Sequence, residues 1–171
     1  YNGNIEKIVK INSLQNLSEQ AQVENEQYIA QAIQNGFVPA IFPSDLDSRN
    51  INIALIAGKP DADTYFCNEG YGLVKYHSDR FGFRNRDTNW DKSNLSLMIG
   101  DSFVHGACVH DGSTLPELLA KQMESTILNL GMGGNNPSHY IAYSKLFIPK
   151  VRPKDTFLVF YTNDNGYKET S

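Results

Sequence analysis

Gly100-Asp101-Ser102 is where this chain's residue types and spacing could do chemistry, because it closes a short run in which Leu95, Leu97, Met98 and Ile99 are apolar. Such a run, bounded by polar Asn94 and by Gly100, reads as a buried parallel strand followed by a turn. Parallel sheets present reactive groups outside the carboxyl ends of their strands. A serine there stands on a tight turn with free backbone N–H groups beside it. Ser102 is therefore the candidate nucleophile. The tripeptide alone is a weak signal, since Gly, Asp and Ser also compose ordinary turns.

Positioning such a serine requires a sheet, and the sequence from Asn94 onward alternates strand and helix. Ile127–Leu130 is a second apolar strand, running into Gly131-Met132-Gly133-Gly134-Asn135-Asn136-Pro137. Thr156–Tyr161 is a third, running into Thr162-Asn163-Asp164-Asn165. The first helix is expected from about Thr114 to Glu124, with Pro116 in its first turn and Leu115, Leu118, Leu119 and Met123 on one face. A second carries Ile141, Tyr143 and Leu146 to Ile148 and stops before Arg152-Pro153. Units of this length predict a parallel sheet with right-handed crossovers, so that the three polar clusters meet at one edge.

Three regions follow: a helical segment over 1–36, an irregular β and loop decoration over 37–93, and an α/β domain over 94–171. In the first, apolar positions from Ile5 to Ile33 fit a 3.6-residue period, and Asn35-Gly36 supplies a stop. In the second, Phe37 to Pro43, the alternation Ile51-Asn52-Ile53 and the turns Gly58-Lys59-Pro60 and Glu69-Gly70 point to short strands and loops. Its stretch from Tyr76 to Asn85 reads either as a polar ligand surface or as a compact loop with Asp79 paired to an arginine.

Composition narrows the classes. The 171 residues suffice for one domain with a core, and 40% hydrophobic with 20% charged residues is ordinary for a globular protein. No apolar run approaches a membrane span. A net charge of −4 with scattered basic residues argues against a nucleic-acid footprint. Cys67 and Cys108 lack ligand spacing, so no metal site is expected. They read as two buried thiols or as one disulfide.

The three clusters, in order, resemble the motif blocks of the serine, glycine, asparagine, histidine (SGNH) hydrolases, the GDSL esterase and lipase superfamily. Gly100-Asp101-Ser102 resembles the first block, Asn129 to Gly134 the glycine block and Thr162-Asn163-Asp164 the asparagine block. The likeness covers roughly Leu95 to Asn165. It implies a flavodoxin-like three-layer α/β/α fold with a parallel sheet. It also implies a Ser102 nucleophile, with Gly134 (Gly133 competing) and Asn163 as oxyanion donors beside the Ser102 N–H. Asp101 would cap the following turn and Asp164 would support the structure. No cofactor is implied. Cys67-Asn68-Glu69, Tyr76 to Asn85 and the run after Gly100 resemble a bacterial subgroup associated with envelope polysaccharide. That points to an acylated saccharide or other small ester as substrate, and to the envelope or periplasm, with the cytoplasm left open.

One block departs from the family. Its Asp-x-x-His, whose histidine deprotonates the serine, occurs nowhere in the sequence, and a serine without a base is a poor nucleophile. His77, His105, His110 and His139 read as loop or capping residues, with His105 able to face the same edge as Ser102. The expectation is a truncated enzyme domain, an esterase or acyltransferase whose base lies outside this chain. The competing expectation is a catalytically silent carbohydrate-binding or assembly domain that keeps the pocket. A nucleotide phosphate loop at Gly131 to Gly134 fits less well, because the Gly-x-Gly-x-x-Gly order is not met.

Overall fold

The computed structural model describes residues 21–41 and 56–161. Helix α1 covers 21–34 and ends in a turn where Gly36 has φ +84°, the left-handed geometry that the Asn-Gly stop anticipates. Its apolar stripe is thin: Ala32 is fully buried, while Val23, Tyr28 and Ile33 remain exposed. The part of the expected helix before residue 21 and the Ile51-Asn52-Ile53 alternation lie outside the described residues.

The decoration is a small mixed sheet. Strand β1 (Val38–Pro39) pairs in parallel with β2 (Asp63–Tyr65), which pairs antiparallel with β3 (Lys75–His77). A 3₁₀ turn, Asp87–Asp91, leads out of it.

The α/β unit follows: β4 (Leu95–Gly100), α2 (Ser102–His105), α3 (Leu115–Gln122), β5 (Thr126–Gly131), α4 (Pro137–Val151) and β6 (Thr156–Leu158). The three strands are parallel in the order β5-β4-β6, with Gly100 opposite Gly131 and Ile99 opposite Leu158. The third strand is shorter than the sequence implies, although the Val159 N–H still donates to the Ile99 carbonyl.

Strand β4 is buried at all six positions because both its faces are covered. Leu95, Leu97 and Ile99 share a cluster with Leu128 and Leu130 of β5 and with Tyr140, Tyr143 and Phe147 of α4, three positions at helical spacing. On the opposite face Met98 packs with Val104, Ile127, Leu119 and Ala120. The expected stripes are thus partly corrected. In α3, Leu119 and Ala120 reach the sheet while Leu115 and Leu118 are exposed; in α4 the inward residue is Tyr140, and Ile141 faces out. Helix ends behave as capping chemistry predicts: Pro116 sits in the first turn of α3, where the Glu117 carboxylate accepts from the Thr114 N–H and hydroxyl and from the Gly112 N–H.

The decoration and the α/β unit share one core, since Ala57 and Phe83 lie in the β4, β5 and α4 cluster. Several links tie them together. Cys67 and Cys108 form a disulfide, which resolves the alternatives left open by the sequence. Buried Arg84 donates to the Gly106 and Val109 carbonyls (both 2.8 Å) and pairs with Asp111 at 2.6 Å. Tyr76 reaches His105. The Asn85 side chain finishes the free edge of β5, accepting from the Asn129 N–H (2.7 Å) and donating to its carbonyl (3.0 Å) as a neighbouring strand would.

Asp79 is not paired to an arginine. Fully buried, it accepts from the Phe81 and Phe83 N–H groups on Oδ1 and from Asn85 Nδ2 and Trp90 Nε1 on Oδ2. The nearby arginines are engaged elsewhere, Arg80 with Asp87 and Asp91, Arg84 with Asp111. Among the described residues no helix is long and apolar enough to cross a membrane.

Candidate functional site

The strand order decides where a ligand could sit. The chain runs from β4 outward to β5 on one side and returns to β6 on the other, so the crossovers diverge at the carboxyl end of β4. Open α/β sheets place ligands in the crevice at such a reversal. Gly100-Asp101-Ser102 lies there.

Ser102 opens α2 directly after β4 and is half-buried. Asp101 precedes it as N-cap, its Oδ1 accepting from the Phe103 N–H at 2.9 Å, so the capping role expected of it is observed. Its other oxygen, Oδ2, is buried with no hydrogen-bond partner among the described residues. Phe103, half-exposed beside the serine, stacks on Tyr161 beyond β6 at 4.1 Å between ring centroids.

The loop after β5 reaches the same edge, because Gly100 and Gly131 are register partners. Gly131 must lack a side chain: a Cβ there would collide with the His105 N and the Val104 carbonyl carbon, so α2 lies directly against the end of β5. The Met132 N–H donates to the Gly100 carbonyl at 3.3 Å, as does Asn135 Nδ2 at 3.2 Å. Asn135 Oδ1 in turn accepts from the Tyr143 hydroxyl at 3.4 Å, a phenol that burial pushes up to about 12 and that also reaches the Ile56 carbonyl. Asn135 is the anchor of this loop and was not singled out in the sequence. Its only signal was a polar residue two places before the helix-opening Pro137.

Gly133 and Gly134, equivalent as letters, differ in place. The Gly133 N–H is buried and donates to His105 Nδ1 at 3.3 Å. Gly134 is exposed, has φ +77°, and its N–H donates to no described group. As the first residue of α2, Ser102 also has an N–H with no partner in its own helix. Two backbone N–H groups, those of Ser102 and Gly134, thus have no hydrogen-bond partner among the described residues. Asn163 and Asp164 lie outside the described residues, and β6, which leads to them, lies beside β4.

Each of the four histidines has a described partner other than Ser102. His105, expected to be able to face the serine's edge, is fully buried, with Nε2 3.1 Å from the Tyr76 hydroxyl. Burial and the Arg84 charge push it down to about 3. His139 accepts the Asn136 N–H on Nδ1 as part of the α4 cap, so its remaining nitrogen carries the proton rather than a free pair. His110 Nε2 is bonded to the Tyr71 carbonyl. His77 lies between Asp63 (2.8 Å) and Asp61 (3.1 Å) on the decoration.

A polar cleft of about 480 Å³ lies elsewhere, lined by Tyr76, His77, Arg84 to Asp87, Asp111, Gly112 and Glu117. Its acids are already committed, Asp87 to Arg80, Asp111 to Arg84 and Glu117 to the α3 cap. Among the described residues no group of histidine, cysteine or carboxylate side chains could hold a metal ion. In comparisons with known proteins the chain matches no family model, no curated protein and no solved structure.

Proposed function

We propose that this chain carries the nucleophile half of a serine esterase or acyltransferase of SGNH type, in which Ser102 attacks an ester carbonyl of an acylated carbohydrate or other small ester. The single observation that carries this reading is the position of Ser102. It stands at the carboxyl end of the central strand, at the point where the strand order reverses, and the N–H groups of Ser102 and Gly134 have no partner among the described residues. The parallel sheet with a helix layer on each face is compatible with the three-layer fold of that family. On this reading Ser102 Oγ bonds to the acyl carbon and the alcohol leaves with a proton. Water then releases the acid, or an acceptor alcohol takes the acyl group. The Asn163 amide joins the oxyanion donors, and Asp101 and Asp164 support the turns. Each of the four histidines is already bonded to a group other than Ser102, and on this reading the base that receives the serine proton lies outside the described residues.

That last observation favours a second reading, a binding or assembly domain with the same edge and no turnover. A fluorophosphonate separates the two, since it phosphonylates only an activated serine. Labelling is expected at Ser102, read by intact mass and peptide mapping, and lost in Ser102→Ala with the fold retained. Labelling that persists in the alanine variant refutes the nucleophile assignment. A wild-type chain that stays unlabelled, alone and within any longer protein that contains it, leaves the binding reading.

A further inference from the structure

Inside the molecule, behind the edge that presents Ser102, runs a chain of contacts from the decoration to the glycine loop. Tyr76 on β3 meets His105 Nε2 at 3.1 Å, and His105 Nδ1 accepts from the Gly133 N–H at 3.3 Å. Every member is buried, and Phe66 packs on the imidazole with centroids 4.4 Å apart. Because the Gly133 N–H can only donate, Nδ1 must present its lone pair. The proton of the neutral ring then sits on Nε2, toward the Tyr76 oxygen. The Tyr76 hydroxyl, able to accept as well as donate, meets that Nε2–H and anchors the ring.

We propose that His105 is a positioning residue: by holding the Gly133 N–H inward it turns the next peptide outward, so that the Gly134 N–H faces the open edge where Ser102 stands. The N–H groups of residues 133 and 134 belong to consecutive peptide planes hinged at the Gly133 α-carbon, and glycine imposes no preference of its own at that hinge. The lock must come from outside the loop. It comes from the same four-residue helix that begins with Ser102 and ends with His105, so nucleophile and donor loop are set by one element. The absent side chain at Gly131 is what lets that element come close enough. The decoration is on this argument part of the site's frame, acting through the Tyr76 hydroxyl.

The functional consequence rests on the ester-cleaving reading; the positioning itself does not. The test uses the full chain labelled with ¹⁵N, wild type and as His105→Leu, His105→Asn and Tyr76→Phe. In the wild type His105 is expected to show an unprotonated Nδ1 and a protonated Nε2, with slow solvent exchange at the Gly133 amide and fast exchange at Gly134. His105→Leu should speed Gly133 exchange about tenfold or more while the β4 amides stay protected. His105→Asn, whose Oδ1 lies near the Nδ1 position, should restore the protection. Where the leucine variant does not fold, Tyr76→Phe keeps the ring stacked and removes only the hydroxyl that anchors Nε2, and should also loosen Gly133. In ester turnover His105→Leu should lower kcat about 10- to 100-fold with KM little changed, below the full loss of a donor, and asparagine should rescue it. A protonated Nδ1 in the wild type overturns the proposal, and so does Gly133 exchange that neither the leucine nor the phenylalanine variant alters. Absence of turnover, both in this chain and within any longer protein that contains it, in a wild type that shows the expected tautomer and exchange overturns the esterase reading instead.

Discussion

His77 illustrates how a single side chain's chemistry follows from its neighbours. Both ring nitrogens lie within hydrogen-bond distance of carboxylate oxygens, which can only accept, so the two contacts together favour the doubly protonated imidazolium. The bond to Asp63, then that to Asp61, raises its pKa above the ordinary histidine value. The sign follows: the stabilisation from the pair is complete below the unfolded-state pKa and is lost as pH rises through the higher folded-state value. An NMR titration of the ring should place the His77 midpoint above that of an unfolded peptide, and Asp63→Asn should bring it back down. A midpoint at or below the peptide value means that the clamp does not exist in solution. Because the site is exposed, the effect on global stability is small.

At the scale of elements, the Asp79 to Asn85 turn does the most work per residue. Asp79 orders its own backbone through Phe81 and Phe83 and holds Asn85 and Trp90 with its second oxygen. Asn85 then closes the β5 edge. Burial raises the Asp79 pKa against the opposing pull of those hydrogen bonds, so the site disfavours the carboxylate relative to water. Removing the charge still fails as a repair. In Asp79→Asn one oxygen becomes an amide donor facing two donors, and with about 1–3 kcal/mol per buried group left unsatisfied the expected loss is about 2–5 kcal/mol. Urea denaturation measures it. A variant as stable as the wild type would mean that the four contacts contribute only geometry.

For the molecule as a whole, the disulfide between Cys67 and Cys108 joins the decoration to the loop that follows α2, across a separation of 41 residues. Loop-closure entropy for a crosslink of that span is worth about 4 kcal/mol in the chain-entropy model. A thiol assay on the unreduced, denatured protein should find no free cysteine. Reduction should lower the urea midpoint, with Cys67→Ala/Cys108→Ala behaving as the reduced wild type. An unchanged midpoint would place the whole tie in the Arg84, Tyr76 and Asn85 contacts, which bridge the same two regions without it.

By itself, the sequence determined what depends on local pattern. Leu95 to Ile99 reads as a buried parallel strand, Asn35-Gly36 and Thr114-x-Pro116 mark helix ends through backbone and capping chemistry, and alternating strands and helices imply a parallel sheet whose polar clusters share an edge. What tertiary structure alone decided depends on partners distant in the chain. The letters Gly133-Gly134 are interchangeable until His105, 28 residues earlier, takes one amide and leaves the other. Asp79 looks like an arginine's partner, but desolvation and the nearby N–H groups give it a different set of donors. His105, three residues from a candidate nucleophile, appears in sequence as able to share its edge. The first turn of α2 carries Ser102 at the edge of the sheet and His105 into the interior, where burial leaves it neutral. Pattern records a residue's periodicity along its own element; the third dimension decides which polar group it meets.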